Sequence, residues 1–106
     1  LQAWVALPDG DEGAEPAFDH FDAAALPRID DDGARLRLIA GDAWGLRAPV
    51  PTHSPMFYAH ADLQPGARVP LPDDAQERAV YVVEGEVETA GQVLRAGEMG
   101  VFARGA

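Results

Sequence analysis

Glycine and proline interrupt this chain so often that a long helix cannot form. Together they account for 20 of the 106 residues, 11 Gly and 9 Pro, and they are spread over the whole length. Proline removes a backbone hydrogen-bond donor, and glycine weakens the interior of a helix. No apolar stretch with a helical period reaches helical length between them. We therefore expect mostly β structure, with short strands joined by tight turns.

Alternating apolar and polar residues mark the predicted strands. Residues 34–40 place Leu36 and Leu38 on an apolar face, and residues 56–63 repeat the alternation. Residues 41–55, which contain three prolines, are predicted to form a loop. Short segments at 79–84, 86–89, 92–95 and 99–103 follow, separated by glycine turns. The segment 79–84 is apolar on both faces and predicts a central strand. The whole pattern predicts an antiparallel sandwich or barrel.

The first 33 residues do not follow this pattern. Residues 1–7 predict a strand that begins at the first residue, which suggests a chain cut from a longer protein. Residues 8–33 are rich in Asp and Glu and predict a polar connector, with one short helical turn near Asp22–Leu26. We therefore expect residues 1–33 to be an inter-domain strand and acidic connector, and residues 34–106 to be a β domain.

Charge and composition exclude several classes of protein. The formal net charge of −10 argues against binding to nucleic acids or anionic membranes, because both require a basic surface. With no cysteine, disulfides and thiolate metal sites are excluded. No apolar run approaches the length of a membrane span, and no basic segment precedes the first apolar residues as in a secretory signal. We expect a cytoplasmic, bacterial protein.

The spacing of turns after residue 65 resembles the cupin superfamily of small double-sheet β-barrels. The first cupin motif spaces two glycines around two His and one Glu that bind metal, and Gly66 and Gly85 fit that spacing. The three ligand positions fall on Pro72, Asp74 and Arg78. Gly97 and Gly105 fit the second motif, whose His would lie two places beyond the last residue. Proline offers no donor atom and arginine stays cationic, so we expect no metal on this chain.

The order of segments resembles the pirin family of bicupins, which have two cupin domains in tandem. The segments that carry the resemblance are WVALP, AEPAFDH, ALPRI, GARLRLIAG, APVPTHSPMFYA and AVYVVEGEVE. The resemblance implies a C-terminal cupin-type double-stranded, jelly-roll-like β-barrel, truncated at both ends. It also implies that the N-terminal cupin, absent here, would hold iron or another divalent metal. That domain would be the partner of this chain, and self-association is a second expectation.

Two classes of function follow from the resemblance. Pirin relatives include quercetin 2,3-dioxygenases and a transcriptional co-regulator. The longer parent would therefore be either an oxidoreductase or a protein-interaction module without enzymatic activity. In both, residues 1–106 would have a supporting role, with no catalytic residue. A third alternative is a small-ligand-binding barrel in which Arg78 anchors a carboxylate.

The candidate pocket residues are Asp74, Arg78, His53, His60 and Tyr58. The spacing of the histidines lacks a His-x-His pair, so hydrogen-bonded structural roles are the default expectation for them. The run Asp30–Asp32 before Gly33 lacks the spacing of a calcium loop and predicts a polar Asp-Gly turn. Arg35 and Arg37 are predicted to form weak surface ion pairs with the acidic connector.

Overall fold

The computed structural model describes residues 3–72, 77–89 and 91–102, and this part of the chain is all-β. Two single-turn 3₁₀ helices, Asp9–Asp11 and Ala23–Ala25, precede the strands. The eight strands are β1 (Arg28–Asp31), β2 (Ala34–Ala43), β3 (Leu46–Arg47), β4 (Phe57–Leu63), β5 (Arg78–Tyr81), β6 (Glu86–Thr89), β7 (Gln92–Arg95) and β8 (Met99–Phe102). The chain divides into two compact units, Leu1–Pro72 and Asp73–Ala106.

The first unit is organised around β2, the longest strand. β2 pairs antiparallel with β1 through Arg28↔Arg37, with β4 through Arg37↔His60, and with β3 at its end. Alternate residues of β2 are buried, as the sequence pattern predicts. Leu38, only 1% exposed, is the most deeply buried of them. Around it pack Ala43 and Ala48 together with the half-buried Phe57.

Two tight turns set the register of this sheet. Asp32 and Gly33 join β1 to β2 with φ of 45° and 80°, and Trp44 and Gly45 join β2 to β3 with φ of 51° and 76°. Positive φ at both central residues is the geometry of a type I′ hairpin, which suits the twist of the flanking strands. The Asp-Gly turn predicted from the sequence is therefore confirmed.

A register shift interrupts the β2–β4 ladder. Leu38 faces Ala59 and Ala40 faces Tyr58, so β2 carries one extra residue at this point. Gly41 follows with a φ of +78°, and a Cβ atom there would lie 1.8 Å from the carbonyl oxygen of Met56. Only glycine allows the two backbones to approach so closely.

The second unit contains two antiparallel ribbons, β5 with β8 and β6 with β7. The four opposite pairs of the β5–β8 ribbon fall alternately on its two faces. The first set is Arg78↔Phe102 and Val80↔Gly100, and the second set is Ala79↔Val101 and Tyr81↔Met99. The first set is buried or half-buried, and the second set is exposed. Apolar side chains therefore occupy an exposed face of this ribbon.

Several sequence-based boundaries are wrong. A strand is predicted over residues 1–7, but residues 3–7 do not form one, and residues 1 and 2 lie outside the described part. The connector contains β1, and the predicted loop 41–55 contains the end of β2 and all of β3. The strand predicted over 79–84 is instead Arg78–Tyr81, and among the described residues its only ladder is with β8.

Other predictions of secondary structure agree with the structure. The 3₁₀ helix Ala23–Ala25 confirms the short helical turn predicted near Asp22–Leu26. The strands predicted over 86–89 and 92–95 are confirmed by β6 and β7. The all-β class is confirmed and is consistent with a cupin-like β fold. The described strands lie in one four-stranded sheet and two ribbons. In the described residues there is no helix long and apolar enough to span a membrane.

Candidate functional site

The positions of the cupin ligand pattern lie at the start of the second unit and just before it. Asp74 lies outside the described residues. Pro72 is half-buried at the end of the first unit. Arg78 is the first residue of β5 and is only 6% exposed, which is rare for a charged side chain.

The guanidinium of Arg78 lies over an aromatic ring. Its Cζ atom is 5.9 Å from the ring centroid of Phe102, the residue directly opposite on β8. At this distance a cation is attracted to the electron-rich face of the ring. The side chain can donate hydrogen bonds or bind an anion, but an arginine does not ligate a metal ion at neutral pH.

Each histidine faces one carboxylate. Nε2 of His20 lies 3.0 Å from Oδ1 of Asp22, and Nε2 of His60 lies 3.6 Å from Oδ1 of Asp62. Nδ1 of His53, in the loop before β4, lies 3.8 Å from Oδ2 of Asp11. Across residues 3–72, 77–89 and 91–102, no group of three or more His, Cys, Asp or Glu side chains is placed to share a metal ion.

The remaining candidate, Tyr58, is a half-buried residue of β4 opposite Ala40. It lies two residues before His60 on the same strand, while His53 is in the preceding loop. His53 and His60 contact different carboxylates, on Asp11 and Asp62. Within the part of the chain that the structure describes, the two candidate histidines therefore do not share a carboxylate partner.

None of the candidate residues lines either of two cavities in the described part of the chain. An open groove of about 550 Å³ in the first unit is lined by residues 24–27 and 47–49. A smaller cavity of about 300 Å³ in the second unit is lined by residues of β6, β7 and β8. Among the described residues that line the larger groove, the charged one is Arg47, whose Nε donates a hydrogen bond to Oδ1 of Asp42 at 3.1 Å. Because this cation is already paired, the groove has little free polar chemistry.

Sequence reasoning missed a row of basic side chains on the first unit. Arg28 on β1, Arg37 on β2 and His60 on β4 lie at directly opposite register positions. The predicted ion pair of Arg35 is confirmed, because its Nε lies 3.1 Å from Oδ1 of Asp30. The predicted ion pair of Arg37 is wrong within the described part of the chain. The sequence does not predict the row, because Arg28 lies in the predicted connector and the register of the ladders is not visible in the sequence.

Comparison with known proteins identifies the family. A pirin-like protein from Caulobacter vibrioides is 45% identical over 106 residues, which cover 99% of this chain and 37% of that protein. Pirin-1 from Arabidopsis thaliana is 30% identical over 95 residues, 88% of this chain and 33% of that protein. Human pirin is 30% identical over 89 residues, 82% of this chain and 30% of that protein. This chain belongs to the pirin family.

Membership places this pirin-family chain in the cupin superfamily. It spans about a third of the length of these curated relatives. No family model matches the chain, and no solved structure matches it. The resemblance found in the sequence is therefore confirmed at the level of the family.

Proposed function

We propose that this chain is the metal-free C-terminal cupin domain of a pirin-type bicupin and that it has a supporting role. In this proposal a separate N-terminal cupin binds iron or another divalent metal and carries any quercetin 2,3-dioxygenase-type activity. Residues 1–106 contribute no catalytic side chain. They provide a folded surface against which the metal-binding domain packs.

The environment of Arg78 is the observation that carries this proposal. The position corresponds to a metal-binding Glu in the cupin pattern, but here it holds a buried cation stacked on Phe102. A divalent ion placed beside a buried guanidinium would be repelled by it, since little water is present to screen the two charges. Pro72 adds no donor atom. Two of the three ligand positions, Pro72 and Arg78, therefore hold side chains that do not fit a metal.

An interaction module without enzymatic activity is the second candidate. It is favoured by the exposed apolar face of the β5–β8 ribbon, formed by Ala79, Tyr81, Met99 and Val101. Three of these are large apolar side chains that water-exposed surfaces of monomers rarely place together. In this candidate the same face binds another domain or a second copy of the chain, and a metal bound by the parent has no catalytic role.

An activity assay separates the enzymatic role of the parent from that of this chain. Loss of flavonol absorbance under air would be followed for residues 1–106 and for the longer parent protein, each with and without added iron, nickel or copper. The proposal predicts no turnover by residues 1–106 with any of these metals, because flavonol cleavage requires a metal with an open coordination position.

The result for the parent decides between the two candidates. Metal-dependent turnover by the parent alone supports the supporting-domain proposal. If neither protein turns over several flavonols, the interaction module is favoured. Metal-dependent turnover by residues 1–106 would contradict both, and Asp74, His53 and His60 would then be the first residues to substitute.

A further inference from the structure

Three basic side chains lie in a row across the four-stranded sheet of the first unit. Arg28 is opposite Arg37 on the β1–β2 ladder, and Arg37 is opposite His60 on the β2–β4 ladder. Directly opposite residues of antiparallel strands have Cβ atoms about 5 Å apart and share a face of the sheet. Arg28 and His60 are exposed, so this face is open to solvent at both ends of the row.

The neighbouring row on the same face holds the acidic residues, and these are already paired. Asp30 accepts a hydrogen bond from Nε of Arg35 at 3.1 Å. Asp62 lies 3.6 Å from His60, measured between Oδ1 and Nε2. Within residues 3–72, 77–89 and 91–102, neither Arg28 nor Arg37 forms an ion pair. The charged residues of this face are therefore Arg28, Arg35, Arg37, Asp30 and Asp62. Arginines outnumber carboxylates here, although the net charge of the chain is −10.

Arg37 has unused hydrogen-bonding capacity. It is half-buried, and its Nε is fully buried without a hydrogen-bond partner in the described part of the chain. A buried donor that lacks a partner lowers stability, and so do like charges placed directly opposite on a sheet. A chain with 18 acidic residues could have neutralised this pair easily. A bound anion would supply the negative charge that this pair lacks.

We propose that Arg28 and Arg37, with His60 beside them, form a binding site for a small multivalent oxyanion such as a phosphoryl or dicarboxylate group. Two adjacent guanidinium groups match the geometry of such oxygens, because each can donate two parallel hydrogen bonds. The imidazole of His60 adds a further donor. The net charge of −10 disfavours a polyanion, whose many charges the rest of the surface would repel.

Calorimetric titration of the chain with inorganic phosphate and with succinate tests this site, with sodium chloride at equal ionic strength as the baseline. We expect one or both anions to bind, and Arg37→Gln and Arg28→Gln each to weaken binding about tenfold or more, since each removes a charge-assisted contact. Arg68→Gln is the matched control. Arg68 is exposed outside the strands of the first unit, and the substitution changes the net charge by the same amount.

Thermal unfolding provides a second readout that a purely structural role of Arg28 would not produce. Without added anion, Arg28→Gln should unfold at the same temperature as the original chain or higher, because repulsion from Arg37 is removed. With anion, only the original chain and Arg68→Gln should gain stability. No binding of either anion above the chloride baseline would overturn the proposal. Equal weakening by Arg68→Gln would also overturn it, as it would reveal unspecific attraction.

Discussion

The pairing of β2 with β4 depends on the backbone conformation of Gly41. Its φ of +78° is strained for any other residue, and a Cβ would meet the Met56 carbonyl oxygen at 1.8 Å. We expect Gly41→Ala to lower the free energy of unfolding by about 3 kcal/mol or more, because backbone strain and overpacking combine. Urea unfolding followed by circular dichroism measures this change.

Gly45→Ala is the matched control for that substitution. Gly45 has a φ of +76°, but no atom lies within 4 Å of the Cβ that would be added. Only the backbone strain remains, so the expected loss is roughly 1–2 kcal/mol. Equal effects of the two substitutions would contradict the close backbone approach at Gly41.

Trp44 shows how a tertiary contact maintains an unfavourable backbone conformation. It has a φ of 51°, and its Nε1 donates a hydrogen bond of 2.8 Å to the carbonyl oxygen of Pro70. Its ring also meets Phe57 edge-on at 6.4 Å between centroids. We expect Trp44→Phe to cost about 1 kcal/mol through the lost hydrogen bond. No change in urea unfolding would indicate that this bond contributes nothing.

For single residues, the sequence predicts the local backbone conformation better than the neighbours of a side chain. The Asp-Gly turn was predictable, because Asp32 and Gly33 tolerate the positive φ of a two-residue hairpin. The Arg28–Arg37 neighbours were not, since their register depends on a ladder that the sequence alone does not reveal.

Among the elements, β2 organises the first unit because its alternate residues form the buried face. Leu38 is 1% exposed, and Leu63 on β4 is 38% exposed. We expect Leu38→Ala to cost about 2–5 kcal/mol, since it leaves a cavity among packed side chains. Leu63→Ala should cost less than about 1 kcal/mol, because water already reaches that side chain. Similar losses for the two in urea unfolding would contradict the assigned inward face of β2.

The elements that sequence reasoning missed share a physical cause. β1 has a single apolar residue, Ile29, so it lacks the alternation that predicts a strand and forms through its turn and its pairing with β2. The segment 3–7 has a strand-like composition, but among the described residues it has no ladder. Apolar–polar alternation therefore predicted β2 and β4, each of which has an apolar face, whereas the prediction failed where pairing partners determine the structure.

The whole molecule combines a negative charge with exposed apolar surface. Val101 on the β5–β8 ribbon is 74% exposed, and Trp4 is 89% exposed. We expect the isolated chain to associate or to be only marginally stable, because such surface is normally covered by another part of a protein. Light scattering of residues 1–106 measures the association.

Substitution on the ribbon tests where association occurs. Val101→Glu should reduce the associated fraction, because it places a charge in the apolar face. Val93→Glu, on β7 and 46% exposed, changes the net charge equally and serves as the control. A monomer that unfolds cooperatively at high temperature, with neither substitution changing its mass, would contradict the prediction.

The all-β class and the family could be inferred from the sequence, because turn spacing and segment order extend along most of the chain. The candidate site could be inferred only in part. The character of Arg78 as a poor metal ligand was predictable from residue type, whereas its burial against Phe102 required the structure. The placement of the histidines on separate carboxylates also depended on the fold.

The number of metal ions bound per chain decides whether residues 1–106 form a metal-free domain. The chain of residues 1–106 would be purified without an affinity tag, incubated with iron, nickel, copper or zinc, and dialysed against a weak chelator. Elemental analysis would then give the number of metal ions per chain. With Pro72 and the buried Arg78 at two ligand positions, we predict a ratio well below one for every metal. A ratio near one for any of them would contradict it.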